Sequence, residues 1–194
     1  MIFVLQSKGK LFIMKGGVIT GKRRTGMISI AIVEDEEMYA KQLQQFLHQY
    51  EEENKEMFDI TVYSDGDQIV NKYKSQYDII LMDVEMKFMD GMSAAEEIRK
   101  IDTEVVIIFI TNMAQYAIRG YAVDALDYVL KPVNYEEMDT ILMKLVKSLS
   151  RKAVVESVSE SIVHDLEERD SENASVIPKV KQYIIEHLSE NIYI

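Results

Sequence analysis

The sequence predicts an α/β fold, a doubly wound sheet of five parallel strands with helices on its faces, and three observations predict it. Five short runs rich in β-branched residues alternate with segments whose apolar residues recur at helical spacing. The middle runs, "DIILMD" and "EVVIIFIT", are continuously apolar, as strands covered on both faces must be. Four of the five runs end in polar residues: Glu34-Asp35, Asp83, Thr111 and Lys131-Pro132. In an open α/β sheet such ends line the crevice where ligands bind.

The elements follow in order. "ISIAIV" (28–33) is the first strand, and "EEMYAKQLQQFLHQYEEE" carries Met38, Leu43, Phe46, Leu47 and Tyr50 at helical spacing. "DITVYS" is the second strand, and "DGDQIVNKYKS" opens with capping residues and reads as a short helix. "DIILMD" and the helix "GMSAAEEIRKI" come next, then "EVVIIFIT" and the helix "MAQYAIRGY". "ALDYVL" is the fifth strand, and "NYEEMDTILMKLVKSLSR" is a long amphipathic helix. Strand–helix alternation of this kind implies parallel βα units.

Composition narrows the function. The chain of 194 residues is 47% hydrophobic, enough for a core of ordinary size, and has no cysteine. Disulfides and thiolate metal sites are therefore excluded, which suits a cytoplasmic protein. The net charge is −11, although Lys8, Lys10, Lys15, Lys22, Arg23 and Arg24 sit in an N-terminal stretch without acids. The acidic body is a poor general nucleic-acid binder, so any DNA contact requires a basic module of its own. Lysines interrupt "MIFVLQSKGKLFIMKGG", which excludes a membrane anchor and a secretory signal. Residues 1–26 read as a basic leader, disordered or non-native. The Lys-Arg-Arg codons before Met27 can spell a purine-rich ribosome-binding sequence, which makes Met27 the expected natural start. Residues 27–150 form the main domain, 151–175 a helical linker with Val154, Val158, Ile162 and Leu166 spaced by four, and 176–194 an amphipathic helix.

An ionised carboxylate at the end of a strand as apolar as "IILM" is costly unless it is paired or metal-bound. Three acids at neighbouring strand ends repel, and a hard divalent cation with oxygen ligands relieves the repulsion. Mg²⁺ suits one or two carboxylates together with phosphate and water. With the metal bound, Asp83 remains an anionic nucleophile able to accept a phosphoryl group. Lys131 then contributes a point charge and Thr111 a hydroxyl hydrogen bond, which is what phosphoryl transfer requires. Each residue alone reads equally as a cap, a turn or a surface side chain; their shared edge argues for the set. His48, His164 and His187 lack metal-ligand spacing.

On these residues, 28–147 resembles a response-regulator receiver domain of two-component signalling. The resemblance rests on Glu34-Asp35, Asp83 in "DIILMDVEMKFMDG", Thr111 in "VVIIFIT" and Lys131-Pro132 in "DYVLKP". The run "NMAQYAIRGYAVDALDYVLKPV" is most similar to receivers that precede LytTR-type DNA-binding domains. The resemblance implies a flavodoxin-like sheet in the order 2-1-3-4-5, Mg²⁺ dependence, a cis peptide before Pro132, and phosphorylation of Asp83 by a sensor histidine kinase. It implies metal ligation by Glu34, Asp35, Asp83 and the backbone carbonyl of Glu85. Thr111 and Tyr128 take the switch positions, and the face of helix 4, strand 5 and helix 5 is the expected homodimer surface.

Some positions depart from that pattern. Lys87 stands where the family often has proline, and Asn112 follows the switch threonine where a small residue is common. The side chain of Glu85 is expected to tune hydrolysis of the acyl phosphate. "KVKQYIIEHLSENIYI" resembles the first helix of an AraC-type helix-turn-helix domain, without the recognition helix that would enter DNA. The expected protein is thus a cytoplasmic phosphoacceptor switch, not a metabolic enzyme, that binds DNA only in a longer form and has no membrane partner. Two other readings remain open at this level. One is a receiver acting purely through protein contacts. The other is a phosphatase using Asp83 as its nucleophile, although Glu85 stands where such enzymes use a second aspartate. A nucleotide- or flavin-binding domain is excluded, because acids follow the first strand in place of a glycine-rich loop.

Overall fold

A computed structural model describes residues 27–150 and, as backbone alone, two strands nearer the N-terminus, Ile2–Ser7 and Lys10–Lys15. These two pair antiparallel in a separate two-stranded sheet, with Phe3 opposite Met14 and Leu5 opposite Phe12. They fall within the stretch expected to be a disordered or non-native leader, where runs of Ile, Phe, Val and Leu supply strand propensity. The linker and the helix-turn-helix resemblance, residues 151–194, lie outside the described residues.

The main sheet has five parallel strands: β1 (Ile28–Val33), β2 (Phe58–Tyr63), β3 (Ile79–Met82), β4 (Val106–Thr111) and β5 (Asp127–Leu130). Their order across the sheet is β2-β1-β3-β4-β5, as expected. Between them run α1 (Glu37–Asn54), α2 (Gly66–Lys72) and α3 (Gly91–Arg99). β3 is entirely buried, which accounts for its continuous apolar run.

In α1 the buried seam is Ala40, Leu43, Leu47 and Tyr50, spaced three and four apart. Met38, read from the sequence as part of that seam, is 84% exposed. α2 ends sooner than its apolar pattern suggests, because Tyr73 turns to extended backbone. Its ring joins those of Tyr63 and Tyr77, and its hydroxyl donates to Asp102 at 3.0 Å.

One row of side chains crosses the sheet on the face covered by α2 and α3. Val33, Met82, Phe109 and Tyr128 stand side by side in the strand register. All belong to or pack against the apolar cluster that includes Ile69, Met92 and Ile98.

The largest departure from expectation follows β4. The single helix read over "MAQYAIRGY" is a 3-10 turn (Ala114–Tyr116), a four-residue helix α4 (Ala117–Gly120) and a second 3-10 turn (Tyr121–Val123). The turn ends at Asp124 in the left-handed region, with φ 49°. At its C-terminal side, Arg99 donates to the carbonyls of Val123 (2.7 Å) and Asp124 (3.1 Å), and also to those of Asp102 and Val105.

The chain divides into two compact units at Pro132 and Val133. In the second unit the described residues form a helix over 135–150, α5. Asn134 caps it by accepting from the amide of Glu137 at 2.9 Å. Met138, Ile141, Leu142, Leu145 and Val146 are buried at helical spacing. Among the described residues no helix is long and apolar enough to cross a membrane.

Candidate functional site

The candidate site is built from the residues that continue the sheet by one step past its strands. The amide of Glu34 donates to Tyr63, that of Asp83 to Val33, and that of Lys131 to Thr111, each at 2.9 Å. These bonds hold the backbones of three site residues in the register of the sheet, so the side chains start from fixed points. The peptide between Lys131 and Pro132 is cis, as the resemblance implied.

The side chains converge. Glu34, Asp35 and Asp83 each bring a carboxylate oxygen within 4.8 Å of the others. Glu34 and Asp83 are buried and Asp35 is exposed, so the cluster opens to solvent on the Asp35 side. Lys131 lies between the two buried acids, its Nζ 2.7 Å from Glu34 Oε2 and 2.6 Å from Asp83 Oδ2. The other oxygen of Asp83 accepts from the amide of Glu85 at 3.2 Å, and Glu34 Oε1 accepts from that of Glu36 at 3.2 Å.

Burial pushes the Glu34 carboxyl up to about 7, against the pull of Lys131 and with some help from the charge of Asp83. Burial also opposes the charge on Lys131. There the hydrogen bonds and charges of Asp83 and Glu34 win, so its pKa rises and it stays an ammonium. Two acids thus share one cation.

Thr111 is fully buried at the tip of β4, and its Oγ1 accepts from the amide of Met113 at 3.3 Å. That leaves its hydroxyl proton available. Tyr128 is half-buried, with its ring 5.8 Å from that of Phe109. Its hydroxyl donates to the carbonyl of Met113 at 2.5 Å. Met113 therefore connects the two expected switch residues through its own peptide groups. The side chains of Glu85, Lys87 and Asn112 are exposed at the rim.

Three residues of the site were not singled out from the sequence. Asp65, read only as a helix cap, is 2% exposed and accepts from the amides of Phe88 and Met89 at 2.9 Å as well as that of Asp67. It ties the loop after Asp83 to the start of α2. Gly91 lets α3 begin directly against Asp83, since a Cβ there would lie 2.0 Å from the Asp83 carbonyl oxygen. Tyr39, in the first turn of α1, places its ring 4.3 Å from Lys131 Nζ. An acid before Gly and a glycine after Asp90 gave some signal; a tyrosine in an amphipathic helix gave none.

Residues 30–143, more than half of the chain, match the family described as "Response regulator receiver domain". The chain belongs to that family. Receivers are the switch domains of two-component response regulators, and the five-stranded order seen here is theirs.

The sensory transduction protein LytR of Streptococcus agalactiae serotype V is 29% identical over 133 residues, which are 68% of this chain and 53% of that protein. LytT of Oceanobacillus iheyensis is 30% identical over 145 residues, 73% of this chain and 57% of that one. The chain thus spans about half the length of the curated relatives it matches.

Among solved structures, the receiver domain of a sensor histidine kinase from Pseudomonas aeruginosa PAO1 holds a magnesium ion in its active-site cleft. It is 30% identical, with a TM-score of 0.53, over 62% of this chain and 98% of that one. The response regulator TrrA of Thermotoga maritima, in complex with Mg(2+)-BeF, is 27% identical with a TM-score of 0.53, over 61% of this chain and 99% of that one. The donor set of this receiver, three carboxylate oxygens on neighbouring strand tips, is of the hard type that Mg²⁺ takes.

Proposed function

We propose that this receiver accepts a phosphoryl group on Asp83 from a sensor histidine kinase, in a Mg²⁺-dependent reaction, as the input step of a cytoplasmic response regulator. The observation that carries the reading is the pairing of the buried Asp83 carboxylate with Lys131 Nζ at 2.6 Å inside the three-acid cluster. The ammonium of Lys131 lies against the carboxylate oxygen and offsets the cost of burying the charge a nucleophile needs.

In the transfer, a carboxylate oxygen of Asp83 forms a bond to phosphorus while the P–N bond of the kinase phosphohistidine breaks, and the imidazole leaves. With a small acyl phosphate as donor, the P–O bond breaks and the carboxylate leaves. Lys131 follows the charge onto the phosphoryl oxygens, and the free hydroxyl proton of Thr111 is placed to donate to one of them. Glu34, Asp35, Asp83 and the Glu85 backbone carbonyl would hold Mg²⁺, whose charge would neutralise that of the phosphoryl group.

The new group adds roughly −1.5 to −2 charge and three acceptor oxygens. A Thr111 drawn toward it gives up the Met113 amide, and Met113 carries the carbonyl that Tyr128 holds. The switch thus passes from Thr111 through Met113 to Tyr128 and repacks the surface of α4 and β5. Ile118 and Tyr121 on α4 and the turn after it are 82% and 84% exposed, which suits a surface that pairs with a second copy.

The shared length with LytR and LytT, about half of each, supports a regulator in which residues 27–150 are the receiver, 151–175 a linker and 176–194 the start of a DNA-binding module. On this reading residues 1–26 are a non-native leader, transcription is the output, and this chain alone does not bind DNA specifically.

The test is incubation with Mg²⁺ and acetyl phosphate. Mass spectrometry is expected to find one phosphoryl group on Asp83, absent from Asp83→Asn and from protein treated with a chelator. Modification of Asp83→Asn to the same extent would overturn the reading.

A further inference from the structure

Lys131 carries its charge at a point with almost no access to water: its side chain is 1% exposed, that of Glu34 1% and that of Asp83 5%. An ammonium has three N–H bonds to satisfy. One is taken by Asp83 Oδ2 at 2.6 Å, while Glu34 Oε2 lies 2.7 Å away as an ion pair without hydrogen-bond geometry. The ring of Tyr39 lies over the nitrogen at 4.3 Å and takes up a third side. The face of an aromatic ring attracts a cation, the more so where water is excluded.

Tyr39 stands in the first turn of α1, directly after the acids of the β1 tip, and is half-buried. One side of its ring meets the ammonium, and the residue as a whole keeps some exposure to solvent.

We propose that Tyr39 is a positioning residue: its ring holds Lys131 against Asp83 and shields the ammonium from water, and so lengthens the life of the acyl phosphate. The second half of the claim rests on Asp83 being the phosphoryl acceptor; the first half stands without it. Decay of the acyl phosphate is attack of water on phosphorus, with the bond from phosphorus to the Asp83 oxygen breaking and inorganic phosphate leaving. A lysine free to swing and an opened mouth leave the phosphoryl oxygens with a hydrated, mobile partner and admit the attacking water. The contact is with the ring and not the hydroxyl, so phenylalanine serves in its place.

The experiment compares the wild type with Tyr39→Phe and Tyr39→Leu, using protein labelled with ¹⁵N at the lysine Nζ atoms. In the unphosphorylated state the Lys131 ammonium signal is expected to persist in the wild type and in Tyr39→Phe. In Tyr39→Leu it is broadened away by proton exchange with water. After acetyl phosphate and Mg²⁺, the acyl phosphate of Tyr39→Leu is expected to decay about fivefold faster than that of the wild type, and that of Tyr39→Phe at an unchanged rate.

An ammonium signal and a lifetime that Tyr39→Leu leaves unaltered would overturn the proposal, as would a Tyr39→Phe protein as impaired as Tyr39→Leu. If Tyr39→Leu fails to fold, Tyr39→Gln, which also removes the ring from a helical position, takes its place. A wild type that takes up no phosphoryl group defeats the Asp83 reading instead, while the ammonium signal still decides whether the ring holds Lys131.

Discussion

The acid cluster at the tips of β1, β3 and β5 and the segment between β4 and β5 lie on either side of Thr111, and they are built in opposite ways. In the cluster, the backbones of Glu34, Asp83 and Lys131 continue the sheet ladder, the side chains of those three are almost fully buried, and neighbouring loops are pinned. The segment from Ala114 to Val123 is assembled from two 3-10 turns and one helical turn, with Ile118 and Tyr121 in solvent. Short helical pieces with few buried side chains sit at the low end of local stability, from which moving elements are drawn. On the proposed function, chemistry that needs fixed distances would occupy the rigid tips, and the part that changes conformation the loosely built segment.

Substitutions on the two sides should therefore differ in size, and the largest effect belongs to Lys131. In Lys131→Met two buried acids lose their shared cation, and denaturant unfolding should report a loss of about 3 kcal/mol or more, since removing one partner of a buried ion pair strands the other. A loss below 1 kcal/mol would mean the tips are no more demanding than the surface.

Gly91→Ala comes next. Its Cβ would collide with the carbonyl of Asp83, which is backbone and cannot swing aside. A destabilisation of about 1–3 kcal/mol is expected, accompanied by slower phosphorylation because Asp83 itself is displaced.

Asp65→Ala should cost about 2 kcal/mol by leaving the amides of Phe88, Met89 and Asp67 without an acceptor. It also carries a pH signature. Burial opposes the charge of Asp65, but the bonds from the Phe88, Met89 and Asp67 amides prevail, and its pKa lies below the usual carboxylate value. The stabilisation it gives is therefore complete above the ordinary aspartate pKa and disappears as the pH falls through the lowered one. Denaturation curves taken from neutral to acid pH should show a shallower acid-side loss in Asp65→Asn than in the wild type.

The smallest effect belongs to the segment. Ile118→Ser should change stability by less than about 0.5 kcal/mol, because the side chain is already in solvent. If the α4 surface pairs two copies after phosphorylation, the same variant should sediment as a monomer with its acyl phosphate intact. A large stability change here would erase the contrast between the two regions.

The two regions also differed in how much the sequence revealed of them. At the tips, each polar residue closes an apolar run, so Glu34, Asp83, Thr111 and Lys131 could be placed at one edge from periodicity alone. Tyr128 was legible only through the family resemblance, three residues before Lys131; the strand register places it beside Phe109. The segment was misread as one helix because its residues are adequate helix formers, yet the Met113 carbonyl that an α-helix would give to residue 117 serves the Tyr128 hydroxyl and the Tyr116 amide, and neighbours hold the groups just outside the ends. Tyr128 holds the carbonyl of Met113, Thr111 takes its amide, and Arg99 claims the carbonyls of Val123 and Asp124. Long-range bonds of this kind leave no periodic trace. The same is true of Tyr39, whose contact with Lys131 spans most of the receiver, and of Asp65, whose local role as a cap hid its hold on a distant loop. Met38 shows the converse: an apolar residue one position off the buried seam faces water.

The fan of bonds from Arg99 constrains any motion of the loosely built segment. One guanidinium fastens the Val123 end to the C-terminus of α3, whereas the Met113 end, packed against the core, is bonded to Thr111 and Tyr128, the residues that the proposed switch would rearrange. If Asp83 takes a phosphoryl group as proposed, the piece would act as a flap on a pivot, fixed at its far end and released at its near end. Displacement would then be greatest beside the phosphoryl group and die away toward the hinge, so that a small pull on Thr111 would tilt Ile118 and Tyr121 without unfolding the turn behind them.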